Sequence, residues 1–364
     1  MKIRCRVSSP ILLVVVACAG GAAQARKGPV QELNFSEPSL IEGEAREAEL
    51  ETASEEELYA RGLVATQSHD EASAAAAFET LARRYGSSPR AGESLLRAGR
   101  SYRALGRLER ALACFEALLR EPGGREAEEA RLLGAETLEM LGRRAEARAS
   151  LGLLAERSPD PETRGRALTE RAILEFGDGE LEAAESSLAL ALAAFGQVPE
   201  VGRSSHARAR FYLGELSRER FLGLAIDTGL GNAELEDVLE RKAQLLLAAQ
   251  ERYLEAARAR DPGVAVASLA RIGELYQAFD RELAAAPLPS GLDPAGARLY
   301  RALLDEKLRV LRVKAAEAYA ETIEAARHAG LTDSPFAAGA AKALEEMERL
   351  LSRDDAPTSE EDPP

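Results

Sequence analysis

Four large apolar residues, Phe78, Phe115, Leu151 and Leu188, recur at spacings of 37, 36 and 37. Four residues before each stands an alanine: Ala74, Ala111, Ala147 and Ala184. Twelve residues before each alanine stands a further small residue: Gly62, Gly99, Ala135 and Ala172. Five residues before three of the alanines stand Gly106, Gly142 and Gly179, with His69 in that place in the first unit. A period of this length belongs to a repeat array rather than to a single long helix. Each unit reads as two antiparallel helices joined by a tight turn, in which glycine takes the positive φ that other residues resist. The small residues let the paired helices approach closely, and the Phe115-type residue is expected to pack against the next unit. One such pair cannot bury its apolar face alone, so the units must stack.

The clearest unit reads Leu95-x2-Ala98-Gly99-x2-Tyr102, then Gly106, then Ala111-x3-Phe115. It resembles the tetratricopeptide repeat (TPR), with Leu95 in place of that family's Trp and Ala98 in place of its Leu. Pro89 and Pro159 close the first and third units, and Pro122 falls one position early in the second. The resemblance implies an all-α, TPR-type helix-turn-helix solenoid over residues 55–222. The fourth unit departs from the pattern, because Glu175 stands in the usual Tyr place. A fifth begins at Ala207 to Glu215, and its second half is expected to degenerate near Gly223 to Gly231.

Residues 223–353 carry longer apolar patterns of helical period, so longer C-terminal helices follow the array. One is expected from Asn232 to Arg260, ended by Asp261-Pro262-Gly263, and another from Val264 to Ala285. Asp293-Pro294 reads as a helix start, with Asp as N-cap and Pro at the first helical position. Gly330 closes that helix, and a last one runs from Ser334 to Arg353. This half is either a capping domain or further, degenerate repeats. No segment reads as a strand.

The two ends read differently. Lys2, Arg4 and Arg6, the apolar run Ile11 to Ala17 and the small-x-small site Ala23-Gln24-Ala25 form a secretory signal pattern over residues 1–25. Within it, Val15-Val16-Ala17-Cys18 resembles the lipobox of bacterial lipoproteins, and that resemblance implies lipidation at Cys18. Simple cleavage after Ala25 is the alternative. Either one implies export to the periplasm or outer membrane. Residues 26–54 are expected to be an acidic, disordered linker, and residues 354–364 a disordered acidic tail.

The chain of 364 residues has 47 Lys+Arg against 61 Asp+Glu, a formal charge of −14. That balance argues against nucleic acid, whose phosphates demand a basic face. Aromatics make up only 5% and Trp is absent, which favours helix over sheet. Once residues 1–25 are gone, Cys114 is the sole thiol, and it reads as a small buried residue. His69, His206 and His328 lie in different units with no second ligand at helical spacing. No catalytic constellation, cofactor motif or metal-ligand spacing stands out, so the expectation is a non-enzymatic protein with no cofactor.

The binding surface is expected on the first helices of the units. In the second unit these carry Arg97, Arg100 and Arg103, with Arg107 at the end. They are the candidates for an electropositive patch that takes a partner's acidic segment; the plainer reading is a solvated arginine stripe. Leu96 and Arg100 stand where chaperone-binding TPRs carry a Lys/Asn clamp, which argues against chaperone tails. The stretch Phe78 to Tyr85, followed by Ser87-Ser88-Pro89, resembles inter-repeat stretches of envelope TPR proteins. That resemblance implies a scaffold for envelope proteins in an outer-membrane assembly, division or motility machine. The alternative is a periplasmic protein that binds a ligand or peptidoglycan in a pocket between the array and the C-terminal helices.

Overall fold

The computed structural model describes residues 48–120, 125–197, 203–226, 232–286, 288 and 292–354. It divides into two compact units, Met1–Thr52 and Ala53–Pro364. Residues 48–52, at the end of the expected linker, are helical rather than disordered.

In the second unit the helices are α1 (Glu55–Gln67), α2 (Glu71–Arg84), α3 (Ala91–Ala104), α4 (Leu108–Leu118), α5 (Arg125–Met140), α6 (Arg144–Arg157) and α7 (Pro161–Gly177). They continue as α8 (Leu181–Phe195), α9 (Arg203–Gly223), α10 (Asn232–Ala257), α11 (Pro262–Ala285), α12 (Pro294–Ala329) and α13 (Pro335–Asp354). No strand occurs among the described residues. Consecutive helices pack as antiparallel pairs, each against the next. The all-α helix-turn-helix solenoid expected from the repeat is the observed architecture.

The first four hairpins turn on one left-handed residue each. His69 has φ 58°, Gly106 70°, Gly142 74° and Gly179 79°. At each turn the next N–H reaches back five residues to a carbonyl. Asp70 N donates to Ala65 O at 2.9 Å, Arg107 N to Tyr102 O at 2.8 Å, Arg143 N to Leu138 O at 2.8 Å and Glu180 N to Glu175 O at 2.9 Å. These bonds satisfy helix-end carbonyls that would otherwise lack partners.

The small residue of each unit does more than bring helices together. A β-carbon at Gly62 would stand 2.6 Å from the Phe78 ring of the same unit, and Gly99 lies equally tight under Phe115. The Phe115-type residue therefore packs first into its own unit. Its base then touches the next: Phe115 Cβ is 3.7 Å from a β-carbon built at Gly134 of α5. Where the large residue shrinks to Leu151 and Leu188, the glycine becomes Ala135 and Ala172, and all four are buried.

The same relation continues beyond residue 222. A β-carbon at Gly214 of α9 would meet the Tyr253 ring of α10 at 2.6 Å, and one at Gly273 of α11 would meet the Tyr319 ring of α12 at 2.5 Å. The expected boundary at 222/223 falls at the last residue of α9, inside a hairpin that α10 completes, so the glycine–ring relation of the array runs on into the C-terminal half. What changes is helix length. The glycine and its ring stand 16 residues apart at Gly62 and Phe78, 39 at Gly214 and Tyr253, and 46 at Gly273 and Tyr319.

Asp-Pro dipeptides start three of the longer helices. Thr163 N donates to Asp160 Oδ2 at 2.9 Å, Val264 N to Asp261 Oδ1 at 2.9 Å and Gly296 N to Asp293 Oδ1 at 2.6 Å. Asp261-Pro262-Gly263, expected to end a helix, instead begins α11. Proline fits the first helical position because the N–H it lacks would have no partner there. Gly330, φ 68°, closes α12 as expected.

Candidate functional site

Polar side chains link the first helices of the hairpins, α1, α3, α5, α7, α9 and α11, at four of their five junctions among the described residues. Tyr59 of α1 donates to Glu93 of α3 at 2.9 Å. Arg103 of α3 pairs with Glu136 of α5 at 2.8 Å, and Arg100 pairs with Glu129. Arg208 of α9 pairs with Glu170 of α7 at 2.5 Å. Arg271 of α11 donates to the buried Glu215 of α9 at 2.9 Å.

The structure places the expected arginines as follows. Arg97 lies over the Phe78 ring, 5.7 Å from its centroid, and pairs with Glu93 one turn back at 2.7 Å. Arg100 and Arg103 each reach a glutamate on α5. Arg107 is exposed at the N-cap of α4 rather than on α3 with the other three. The first three are balanced one for one by Glu93, Glu129 and Glu136, so they form part of an ion-pair ladder rather than a bare cationic patch. Cys18 and residues 1–25 lie outside the described residues, as does most of 26–54.

One junction differs. Among the described residues no ion pair joins α5 to α7. Instead Glu136 and Glu139 of α5 face Glu170 of α7. Burial pushes the Glu170 carboxyl above the usual range; Arg208 opposes the shift, and Glu136 and Glu139 add to it. Glu139 is exposed, and beside it at the end of α5 stands Met140, 58% exposed. This is a stretch of first-helix surface with negative charge in excess and an apolar side chain open to solvent.

Several polar residues have roles that the repeat pattern does not announce. Glu175, in the Tyr place of the fourth unit, is fully buried. It accepts from Arg171 Nε at 2.7 Å and from Ser187 Oγ at 2.7 Å, and Arg148 stands 3.6 Å away. In the second unit Tyr102 fills the same place and donates to Glu79 at 2.5 Å. The fourth unit is thus closed by an ionic network instead of a ring, and the only hint in the sequence is the glutamate out of place. Lys242 is also fully buried. Its ammonium reaches Leu224 O at 2.5 Å and Glu282 Oε2 at 2.5 Å, and lies 4.7 Å from the Phe221 ring centroid. Beside it is a recess of about 300 Å³, open to solvent, lined by Leu222, Ala225, Ile226, Glu282, Ala285 and Ala286.

Cys114 is buried, and burial followed by the Glu79 carboxylate pushes its thiol up to about 12. It is a packing residue, as the sequence implies. Among the described residues no group of three or more His, Cys, Asp or Glu is placed to hold a metal ion. No helix among them is long and apolar enough to cross a membrane.

No protein-family model matches this chain, and no curated protein does. Solved structures do. One is a tetratricopeptide repeat protein from Parabacteroides merdae, 16% identical, covering 82% of this chain and 98% of its own, with a TM-score of 0.38. A second is the C-terminal part of a TPR repeat-containing protein from Cytophaga hutchinsonii, 11% identical, covering 80% and 96%, with a TM-score of 0.42. A third is a Rap protein complexed with competence and sporulation factor, 15% identical, covering 82% and 75%, with a TM-score of 0.37. The fold is a TPR-type solenoid. That statement rests on the glycine–ring contacts and left-handed turns described above.

Proposed function

We propose that the chain is an exported, non-enzymatic scaffold of the bacterial cell envelope. It sits in the periplasm, or on the outer membrane through a lipid at Cys18, and joins other envelope proteins by holding an extended segment of a partner along its first-helix face. The export part of this reading is supported by the basic, apolar and small-x-small order of residues 1–25. The binding part is carried by the end of α5, where Glu139, exposed beside Met140, has no ion-pair partner among the described residues, while its neighbours Glu136 and Glu170 are paired with Arg103 and Arg208. A partner segment that carries Lys or Arg next to an apolar side chain complements this surface. It reverses the polarity that the arginines alone suggest, because those arginines are already paired. The machine served is of the outer-membrane assembly, division or motility type.

The test is crosslinked affinity capture of the tagged protein from its native envelope, read by mass spectrometry. The wild type returns a stable set of envelope proteins, Glu139→Lys loses that set, and Arg107→Ala keeps it. A protein that returns alone, or a set indifferent to Glu139→Lys, sinks the proposal.

The alternative, a periplasmic ligand- or peptidoglycan-binding protein, has the recess beside Lys242 in its favour. Against it, the Lys242 ammonium already holds the Leu224 carbonyl and Glu282. A saturable rise in melting temperature with a small ligand, removed by Ala285→Phe, favours this second reading.

A further inference from the structure

The ion-pair ladder follows the repeat, so the rungs of one junction predict those of the next. Arg100 and Arg103 of α3 stand one and four residues after Gly99. Their partners on α5, Glu129 and Glu136, stand six before and one after Ala135. Carried one unit along, to Ala135 and Ala172, the same rungs match Glu136 with Arg166 and Glu139 with Ile173. Neither rung closes. Glu136 is already held by Arg103, which leaves Arg166 exposed and without an ion-pair partner among the described residues. Glu139 has as its counterpart an isoleucine, which cannot pair with it, and it stays exposed as well.

The helices themselves part at this place. α3 packs against α5, α7 against α9 and α9 against α11, whereas α5 and α7 barely meet. α1 and α3 barely meet either, but Tyr59 and Glu93 bridge them. On α7, Arg166, Glu170 and Ile173 lie within about 60° of one another at 100° per residue, so they share a face. Glu136 and Glu139 lie about 60° apart on α5 by the same count, and both act on Glu170 across the gap. Glu170 is held by Arg208 of α9. The groove between α5 and α7 thus keeps a free cation, Arg166, and a free carboxylate, Glu139, with the half-buried Ile173 beside the carboxylate.

We propose that this groove takes a bipolar segment of a protein partner, whose basic side chain pairs with Glu139 and whose acidic side chain pairs with Arg166. An apolar side chain of the same segment lies against Ile173. The partner thereby supplies the two rungs that the ladder lacks. The proposal rests on the reading of the first-helix face as a binding surface, and adds to it the requirement for an acid. A purely basic segment satisfies Glu139 and sets like charge against Arg166. A purely acidic one does the reverse, so a segment of both signs alone complements the groove.

The test is selection of phage-displayed random peptides of about ten residues, ~33 Å when extended, on the immobilised full chain. The wild type enriches peptides in which a Lys or Arg and an Asp or Glu lie within a few residues of each other. For one such peptide, fluorescence anisotropy gives a Kd that Arg166→Glu and Glu139→Lys each raise about fivefold or more, the size of an exposed ion pair. Replacing the peptide's acid by Lys restores binding to Arg166→Glu, and Arg107→Ala leaves the Kd unchanged. Circular dichroism checks that each variant keeps its helix content. Enriched peptides that carry a base alone, with affinity indifferent to Arg166→Glu, overturn the bipolar segment and leave the Glu139 surface standing. No enrichment, or affinity indifferent to Glu139→Lys, removes both. A thiol–amine crosslinker that joins Ile173→Cys of the free chain to a second copy, or to residues 26–47, overturns the proposal in favour of that occupant.

Discussion

Gly214 and Tyr253 meet so closely that a β-carbon on the first would stand 2.6 Å from the ring of the second. Gly214→Ala therefore has to push apart the two helices of the fifth hairpin. Overpacking of this kind costs about 1–3 kcal/mol, which outweighs the ~1 kcal/mol that alanine gains over glycine in a helix. Gly339 of α13 is the contrast, since nothing stands within 4 Å of its built β-carbon. Gly339→Ala stabilises by up to about 1 kcal/mol. Urea midpoints of the two variants must move in opposite directions.

His69 holds φ 58° at a turn where the next three hairpins use glycine. A side-chain-bearing residue there costs about 1–2 kcal/mol. His69→Gly raises the urea midpoint, and Gly142→His lowers it by a comparable amount. A loss of stability in His69→Gly would show that the histidine side chain, not the backbone, holds this turn.

Glu175 is buried between Arg171 and Ser187. Glu175→Gln leaves Arg171 short of its counter-charge, while Arg171→Met leaves the buried carboxylate without its closest cation. Each change alone destabilises, and the pair couples by about 0.5–3 kcal/mol in a double-mutant cycle. Additive effects would mean that the ion pair contributes nothing beyond packing.

Stability should fall in alkali. Burial is the main cause that raises the Cys114 thiol to about 12, and it also raises the phenols of Tyr102, Tyr253 and Tyr319. In the unfolded chain a thiol titrates near ~8.5 and a phenol near ~10. Between those values and the raised ones, the unfolded state releases protons that the folded state keeps. Stability is thus fully present below about pH 8.5, declines above it, and declines more steeply above about pH 10. Urea midpoints at stepped pH read this directly, and a flat profile to pH 11 would contradict the burial of these groups.

The first four hairpins were legible because their signal is short-range. Gly106, Gly142 and Gly179 sit at fixed offsets from Ala111, Ala147 and Ala184, and turn chemistry dictates that spacing. The pairs Gly214 with Tyr253 and Gly273 with Tyr319 were not legible. Longer helices separate each glycine from its ring, so no fixed period joins them. The arginines of α3 were visible as charges, whereas their partners Glu129 and Glu136 lie on another helix and become neighbours only through stacking. Glu175 was legible as a departure from the repeat, and its burial was not. A sequence pattern records which residue is out of place without recording what surrounds it.

The lengthening of the hairpins gives the array a direction. The short N-terminal hairpins, with α4 of only 11 residues, have small cores and depend on their neighbours on both sides. The C-terminal hairpins, with α10 of 26 residues and α12 of 36, share a single core that holds Phe221, Tyr253, Tyr276, Phe279 and Tyr319. In a stack where each unit is stabilised by the next, the broad end is the nucleus from which order spreads. Heat, urea or a pulling force should then peel the protein from residue 55 inward. Shortening it from the front should leave a folded remainder, whereas removing α12 and α13 should unseat everything that leans on them.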